Sequence, residues 1–251
     1  MSEKRNPTDF LQKATKYDLL AQAYKYTNPQ LHIHFYLKHY KYMNKAINLM
    51  RSPVQTAQGD AQIRFLHTSP DSPNVDIYIN GNRVIKDLAF KHISQILLLK
   101  TGKYHIDIYP SGNMVDSVLN KNITIEEGKS YTLTTIDSVK KMRLLLYQNH
   151  PEVPVNEAKV RFIHLSPDTP ELDIAVKERD VIFPNVSYKQ ATDYLGLTPM
   201  TVDLEARAAK GKDILLPLPK MTFKPNQSCT IFFLGRSAKE TPSLQYIILE
   251  D

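Results

Sequence analysis

Two short segments of the chain carry histidine, serine and aspartate at one and the same spacing. His67-Thr68-Ser69-Pro70-Asp71-Ser72-Pro73 is followed by Asp76, and His164-Leu165-Ser166-Pro167-Asp168-Thr169-Pro170 by Asp173. These are the groups of a hydrolytic triad, in which a base reaches the serine and an acid orients that base from its far side. The spacing argues against such chemistry. His67 and Ser69 fall on the same side of an extended strand, Asp71 follows a proline, and no glycine sits nearby to open an oxyanion hole. Triads are assembled from distant segments, so no catalytic residue is expected here. Calcium is a second reading, with Asp71 and Asp76 as carboxylate ligands. Two acids per segment fall short of the six to eight oxygens that ion takes. Turn chemistry accounts for every residue: proline fixes φ, and Ser and Asp side chains accept from backbone amides close by. His67 then ties the strand end to the turn and Asp76 pins its other side. His67, Ser69, Asp71, Asp76, His164, Ser166, Asp168 and Asp173 are therefore expected to build a structural turn, with ligand recognition by the loop as the remaining role.

The elements that must position these turns are strands. Ile63–Ile77 recurs 97 residues later as Val160–Ile174, and the match continues. Val84-Ile85 answers Val181-Ile182, Phe90 answers Tyr188, and Tyr104–Ile108 answers Met200–Leu204. Ile123-Thr124-Ile125 and Tyr131-Thr132-Leu133 answer Met221-Thr222-Phe223 and Cys229-Thr230-Ile231. A period of this length suits duplicated domains. Within a copy, side chains alternate between two faces, as in Ile63, Phe65 and His67 against Arg64 and Leu66. Asn80-Gly81 reads as a hairpin turn. Strands are expected near 62–67, 74–79, 83–86, 93–99, 103–109, 122–125, 130–136 and 142–147, the pattern of an immunoglobulin- or transthyretin-like sandwich. The fold class is mainly β: two tandem β-sandwich modules, 61–148 and 159–251. They are joined by a proline-stiffened linker over 148–157 and preceded by an α-helical hairpin within a basic arm, 1–53.

Charge is confined to that arm. Residues 1–53 hold nine Lys or Arg and three acids, whereas the remaining 23 basic and 23 acidic groups cancel. Asn6-Pro7-Thr8-Asp9 is a helix start. Phe10, Ala14, Tyr17, Leu20, Ala21 and Tyr24 form one stripe; Leu31, Phe35, Tyr36, Tyr40, Met43, Ile47 and Met50 form a second. Lys38, Lys41 and Lys45 are expected to face solvent and supply any electrostatic contact. Six tyrosines interleaved with lysines suggest stacking and phosphate contact with nucleic acid or another anionic polymer. No known nucleic-acid motif accompanies them, and a tyrosine core with a lysine rim is the expected arrangement. His32, His34 and His39 point to different sides of a helix, so no metal site is expected. The single cysteine, Cys229, excludes an intrachain disulfide and lies in an apolar strand where burial is expected. No apolar run of 18 residues is present and no signal-peptide pattern opens the chain, so it is expected to be cytoplasmic as synthesised.

At the repeated segment the sequence resembles the bacterial family known as domain of unknown function 4397. Arg64 through Asp76 and the hairpin Ile77-Tyr78-Ile79-Asn80-Gly81 match its opening pattern. The second copy keeps Arg161 to Asp173 but has Ala175-Val176-Lys177-Glu178-Arg179 in place of the hairpin. The resemblance implies a sandwich fold in tandem and occurrence in surface or envelope proteins, and no reaction. The arm around Tyr24–His32 resembles extensions found in spore-forming Gram-positive bacteria. Together these readings imply a non-enzymatic structural or protein-interaction protein without a cofactor. Its expected setting is the spore or cell envelope, with attachment to a protein partner or self-association through the arm. Binding of nucleic acid or anionic polymer through the arm is the alternative.

Overall fold

In the computed structural model, residues 7–50, 60–211, 213–238 and 242–251 are described. The expected cap at Asn6 and the side chains of Ile47 and Met50 lie outside them. The chain divides into the N-terminal arm and a second unit that contains both modules.

The arm is a pair of helices, α1 (Pro7–Tyr24) and α2 (Pro29–Met50). Asn28 caps α2: its side-chain oxygen accepts the Leu31 N–H at 3.1 Å, with Pro29 in the first helical position where a missing N–H is harmless. Ala14, Ala21 and Ala46 are buried and let the helices approach closely. Between them Phe10, Tyr42, Tyr17, Phe35 and Tyr24 stack in a continuous series with centroids 5.4–6.3 Å apart. His32 and His39 bridge the helices through Nδ1 to the carbonyls of Ala21 and Ala14. The expected α1 stripe is the buried one. The expected α2 stripe merges two faces: Phe35 and Ala46 face α1, whereas Tyr36 and Tyr40 are exposed together with Ile33 and Leu37. At 100° per residue, Phe35 and Tyr36 cannot share a face.

In the second unit the first module consists of β1 (Asp60–His67), β2 (Val75–Ile79), β3 (Asn82–Leu88), β4 (Leu97–Lys100), β5 (Gly102–Pro110), β6 (Leu119–Ile125), β7 (Ser130–Ile136) and β8 (Arg143–Asn149). The second repeats them as β9 (Ala158–His164), β10 (Leu172–Val176), β11 (Val181–Val186), β12 (Leu195–Leu197), β13 (Met200–Ala208), β14 (Ile214–Phe223), β15 (Gln227–Leu234) and β16 (Gln245–Glu250). Each module has two four-stranded sheets, ordered β4-β1-β7-β8 and β3-β2-β5-β6, with the same order in the copy. The fold is mainly β, as expected. The pairs β1–β7 and β9–β15 are parallel; all other pairs are antiparallel.

Three details depart from the sequence reading. The expected strand over 93–99 shrinks to β4, because the Ser94 hydroxyl, and Thr192 in the copy, accepts the N–H of Phe65 or Phe162 in place of a ladder carbonyl. Across the β2–β5 and β10–β13 pairs, Ile79 faces Ile106 and Val176 faces Leu204. Ile106 therefore corresponds to Leu204 and Asp107 to Glu205, two positions on from the alignment by sequence. Third, Arg64 and Leu66 do not face solvent. β1, β7, β9 and β15 are buried on both faces. One face of each lines its own sandwich core, around Ile63, Phe65, Ile77 and Ile108 or Phe162, Ile174, Ile231 and Phe233. The other face joins a third core shared by the modules, in which Leu66 and Ile136 meet Ile163, Leu165, Phe232 and Leu234. Each such side chain contributes about 1.5–3 kcal/mol by leaving water, so the seam is as firm as an ordinary core. Cys229 lies within the second sandwich, and burial pushes its thiol up to about 12.

Candidate functional site

Each repeated turn joins three strand ends. In the first copy, His67 is wholly buried at the end of β1. Its Nδ1 lies 2.7 Å from the Thr135 hydroxyl of β7, and its Nε2 lies 3.2 Å from the Pro73 carbonyl. A carbonyl can only accept, so Nε2 carries the proton and Nδ1 accepts from Thr135. The Ser69 hydroxyl donates to the Asp137 carbonyl at 2.5 Å, and Asp71 Oδ1 accepts the Val139 N–H at 3.1 Å. Asp76 accepts the Asp87 N–H and the Ser111 hydroxyl on one oxygen and the Arg83 guanidinium on the other.

The second copy repeats the scheme. His164 Nε2 lies 3.2 Å from the Pro170 carbonyl, and Nδ1 accepts the Ser166 N–H. Ser166 donates to the Gly235 carbonyl at 2.9 Å and also contacts the Thr169 hydroxyl. Asp168 accepts the N–H groups of Ser237 and Ala238, one on each oxygen. Asp173 accepts those of Asn185 and Lys210. Each motif thus ties the end of β1 or β9, the chain leaving β7 or β15, and the start of the β2–β3 or β10–β11 hairpin.

This geometry sets the electrostatics. Burial, only partly opposed by the hydrogen bonds to Pro73 and Pro170, holds His67 and His164 below the usual imidazole range and keeps them neutral. For Asp168, desolvation pushes upward, but the Ser237 and Ala238 amides outweigh it and leave the carboxyl below its ordinary value. In neither copy does the histidine contact the serine hydroxyl: Ser69 and Ser166 donate to backbone carbonyls, and the imidazole nitrogens engage Thr135, Ser166 N–H and the proline carbonyls. The carboxylates turn toward backbone amides rather than toward one another, which is the arrangement of a staple.

Sequence reasoning gave no role to the arginine that opens each motif. Arg64 donates from Nε to Thr132 Oγ1 at 3.0 Å, from Nη1 to the Glu250 carbonyl at 2.5 Å and from Nη2 to Asp251 Oδ1 at 3.3 Å. Arg161 donates from Nε to Thr230 Oγ1, from Nη1 to the Gln148 carbonyl and from Nη2 to Asn149 Oδ1, all at 2.7–2.9 Å. Each module's arginine thus holds the last strand of the other. A signal existed: Arg161 interrupts the apolar run Val160-Arg161-Phe162-Ile163, and an arginine inside such a run needs a buried partner. Asp71 joins the modules a second way, through Arg236 Nη2 at 3.4 Å.

In the arm, Lys38 lies over the rings of Tyr17 and Phe35, and Lys45 over those of Phe10 and Tyr42. Lys38 is half-buried, contrary to the expectation of a solvent position, because its ammonium is drawn over the aromatic stack. Lys41 and Lys45 are exposed.

Two tandem matches to the family model described as domain of unknown function (DUF4397) cover residues 61–175 and 158–251. The chain belongs to this family. The staple and the arginine clasp lie within the matched residues, once in each copy. No curated protein matches the chain. Among solved structures, the C-terminal domain of AlgF from P. aeruginosa is similar at 15% identity and a TM-score of 0.31, over 38% of this chain and 99% of that one. The Bacillus anthracis TIE protein is similar at 12% and 0.21, over 71% and 34%. The carbohydrate-binding module CBMbc of Eubacterium rectale Amy13K, solved with maltoheptaose, is similar at 13% and 0.24, over 76% and 97%.

Proposed function

We propose that the protein is a non-enzymatic structural or interaction protein, in which the docked modules are a rigid body and the helical arm is the attachment element. The observation that carries this reading is the engagement of both motifs by their own scaffold. Their serines, histidines and aspartates bond backbone groups and neighbouring hydroxyls in both copies, where a nucleophile and base would have to face a substrate. The arm supports the second half of the reading. α2 turns Ile33, Tyr36, Leu37 and Tyr40 outward, 52–60% exposed, at the spacing of a helix-packing stripe. Its inner rings stack on one another beneath lysines, which favours a protein partner or a second copy over stacked bases. The resemblance of the arm to extensions in spore-forming bacteria supports the spore envelope as the setting.

The test uses the full-length chain and a Leu37→Glu/Tyr40→Glu variant in native-lysate capture and sedimentation, at low and high salt. A partner or self-association lost in the variant but persisting at high salt supports the proposal. Interactions untouched by the substitutions remove the arm's role. Binding that collapses with salt assigns the arm to a polyanion instead. A fluorescent fusion that stays diffuse throughout sporulation removes the envelope setting.

A further inference from the structure

Where the two modules meet beside the staples they enclose an open cleft of about 660 Å³. Asp137, Lys141 and Arg143 reach it from the β7–β8 side of the first module, Asp168 and Arg236 from the second. Neither module forms it alone. Its acids are engaged: Asp168 accepts backbone N–H groups on both oxygens, and Asp137 takes the Tyr188 hydroxyl on one oxygen and Arg143 on the other. Its cations are not equally engaged. Arg236 offers Asp71 a single nitrogen, and among the described residues the exposed Lys141 ammonium makes no hydrogen bond or ion pair.

The cleft therefore presents unused N–H donors on Lys141 and Arg236, in a hollow wide enough for a small molecule. The two-module symmetry is broken here as well. Arg143 corresponds to Gln245 and Arg236 to Ser138, so each module brings to the cleft an arginine that its copy lacks. A carboxylate or phosphate group is the chemistry that matches such a donor set, since charge-assisted hydrogen bonds to oxyanions are the strongest a lysine or arginine makes.

We propose that this cleft is a binding site for a small oxyanion, with Lys141 as its principal ligand and Arg143 and Arg236 shaping the field around it. The site is independent of the arm and of the attachment role assigned to it. The test is titration of the full-length, isotope-labelled chain at low ionic strength with inorganic phosphate in one arm and succinate in the other, following backbone amides. Saturable shifts at Ser138, Ser237 and Ala238 are expected with at least one anion. Lys141→Glu is expected to weaken them by about tenfold or more, whereas Lys86→Glu, an exposed charge reversal on β3, leaves them unchanged. A response to phosphate alone identifies a phosphate site, and a response to succinate alone a carboxylate site. Matching thermal melts for the two variants exclude misfolding as the cause. No shift with either anion up to about 10 mM overturns the proposal, as does equal loss in both variants, which marks non-specific charge attraction.

Discussion

Arg64 and Arg161 sit at the same place in two copies of one fold and make the same three kinds of contact, yet the groups they hold differ in charge. Arg161 closes on a neutral amide, Asn149, beneath the ring of Tyr194, 4.6 Å away. Arg64 closes on Asp251, a carboxylate whose side chain is fully buried and which also accepts from Tyr194, Ser228 and Thr230. Burial lowers both guanidinium pKa values, and Asp251 opposes this in both. Duplication thus supplied two identical half-clasps, and divergence placed one carboxylate between two buried cations. The two halves are alike in shape and unlike in what removal leaves behind.

The contrast is sharpest for the arginines themselves. Arg64→Ala strands Asp251 without its ion-pair partner and is expected to lower stability by about 3–5 kcal/mol. Arg161→Ala strands only an amide and a carbonyl and should cost about 2 kcal/mol. Urea unfolding of the two variants measures the difference, and equal losses would mean that packing rather than charge distinguishes the halves. A smaller contrast separates the staples. Asp168 accepts two backbone amides where Asp71 accepts one, so Asp168→Ala should destabilise by roughly 2 kcal/mol and Asp71→Ala by roughly 1. Thermal melts in which neither variant departs from the parent would sink the structural account of the motif.

The smallest effect is one in which the copies should agree. Both motif histidines are held neutral by burial, below the ordinary value of about 6.5. Beneath that pH the unfolded chain binds more protons than the folded one, so stability is lost as pH falls below about 6.5. His67→Gln and His164→Gln should each flatten this decline by a similar amount. A decline unchanged in the double variant would assign the acid sensitivity to other groups.

Much of this organisation is legible in the residues. The duplicated motif, the hairpin at Asn80-Gly81, most strand positions and the inner stripe of α1 follow from spacing and turn chemistry alone. The seam does not. Alternation in Ile63-Arg64-Phe65-Leu66 reads as one face in and one face out, because a sequence pattern records which residues are apolar and not what covers them. Only when a second module supplies the cover does Arg64 become an interior residue with a partner 187 positions away. The motif's small polar residues were legible as a turn, but their partners on the chain leaving β7 and β15, about 68 residues on, were not. α2 blurred for a related reason: apolar residues on two of its faces produce one apparent stripe.

The parallel pairing of β1 with β7 bears on how the protein would carry load. Tension transmitted through the arm enters the module at Asp60 and runs along β1, in line with its neighbour. The six residue pairs from Gln62–Ser130 to His67–Thr135 are then sheared together rather than peeled one by one. Their far end is fastened by the His67 staple, and their outer face is clamped beneath the second module. The strand that follows the arm in the chain is thus held against being drawn out along its own axis.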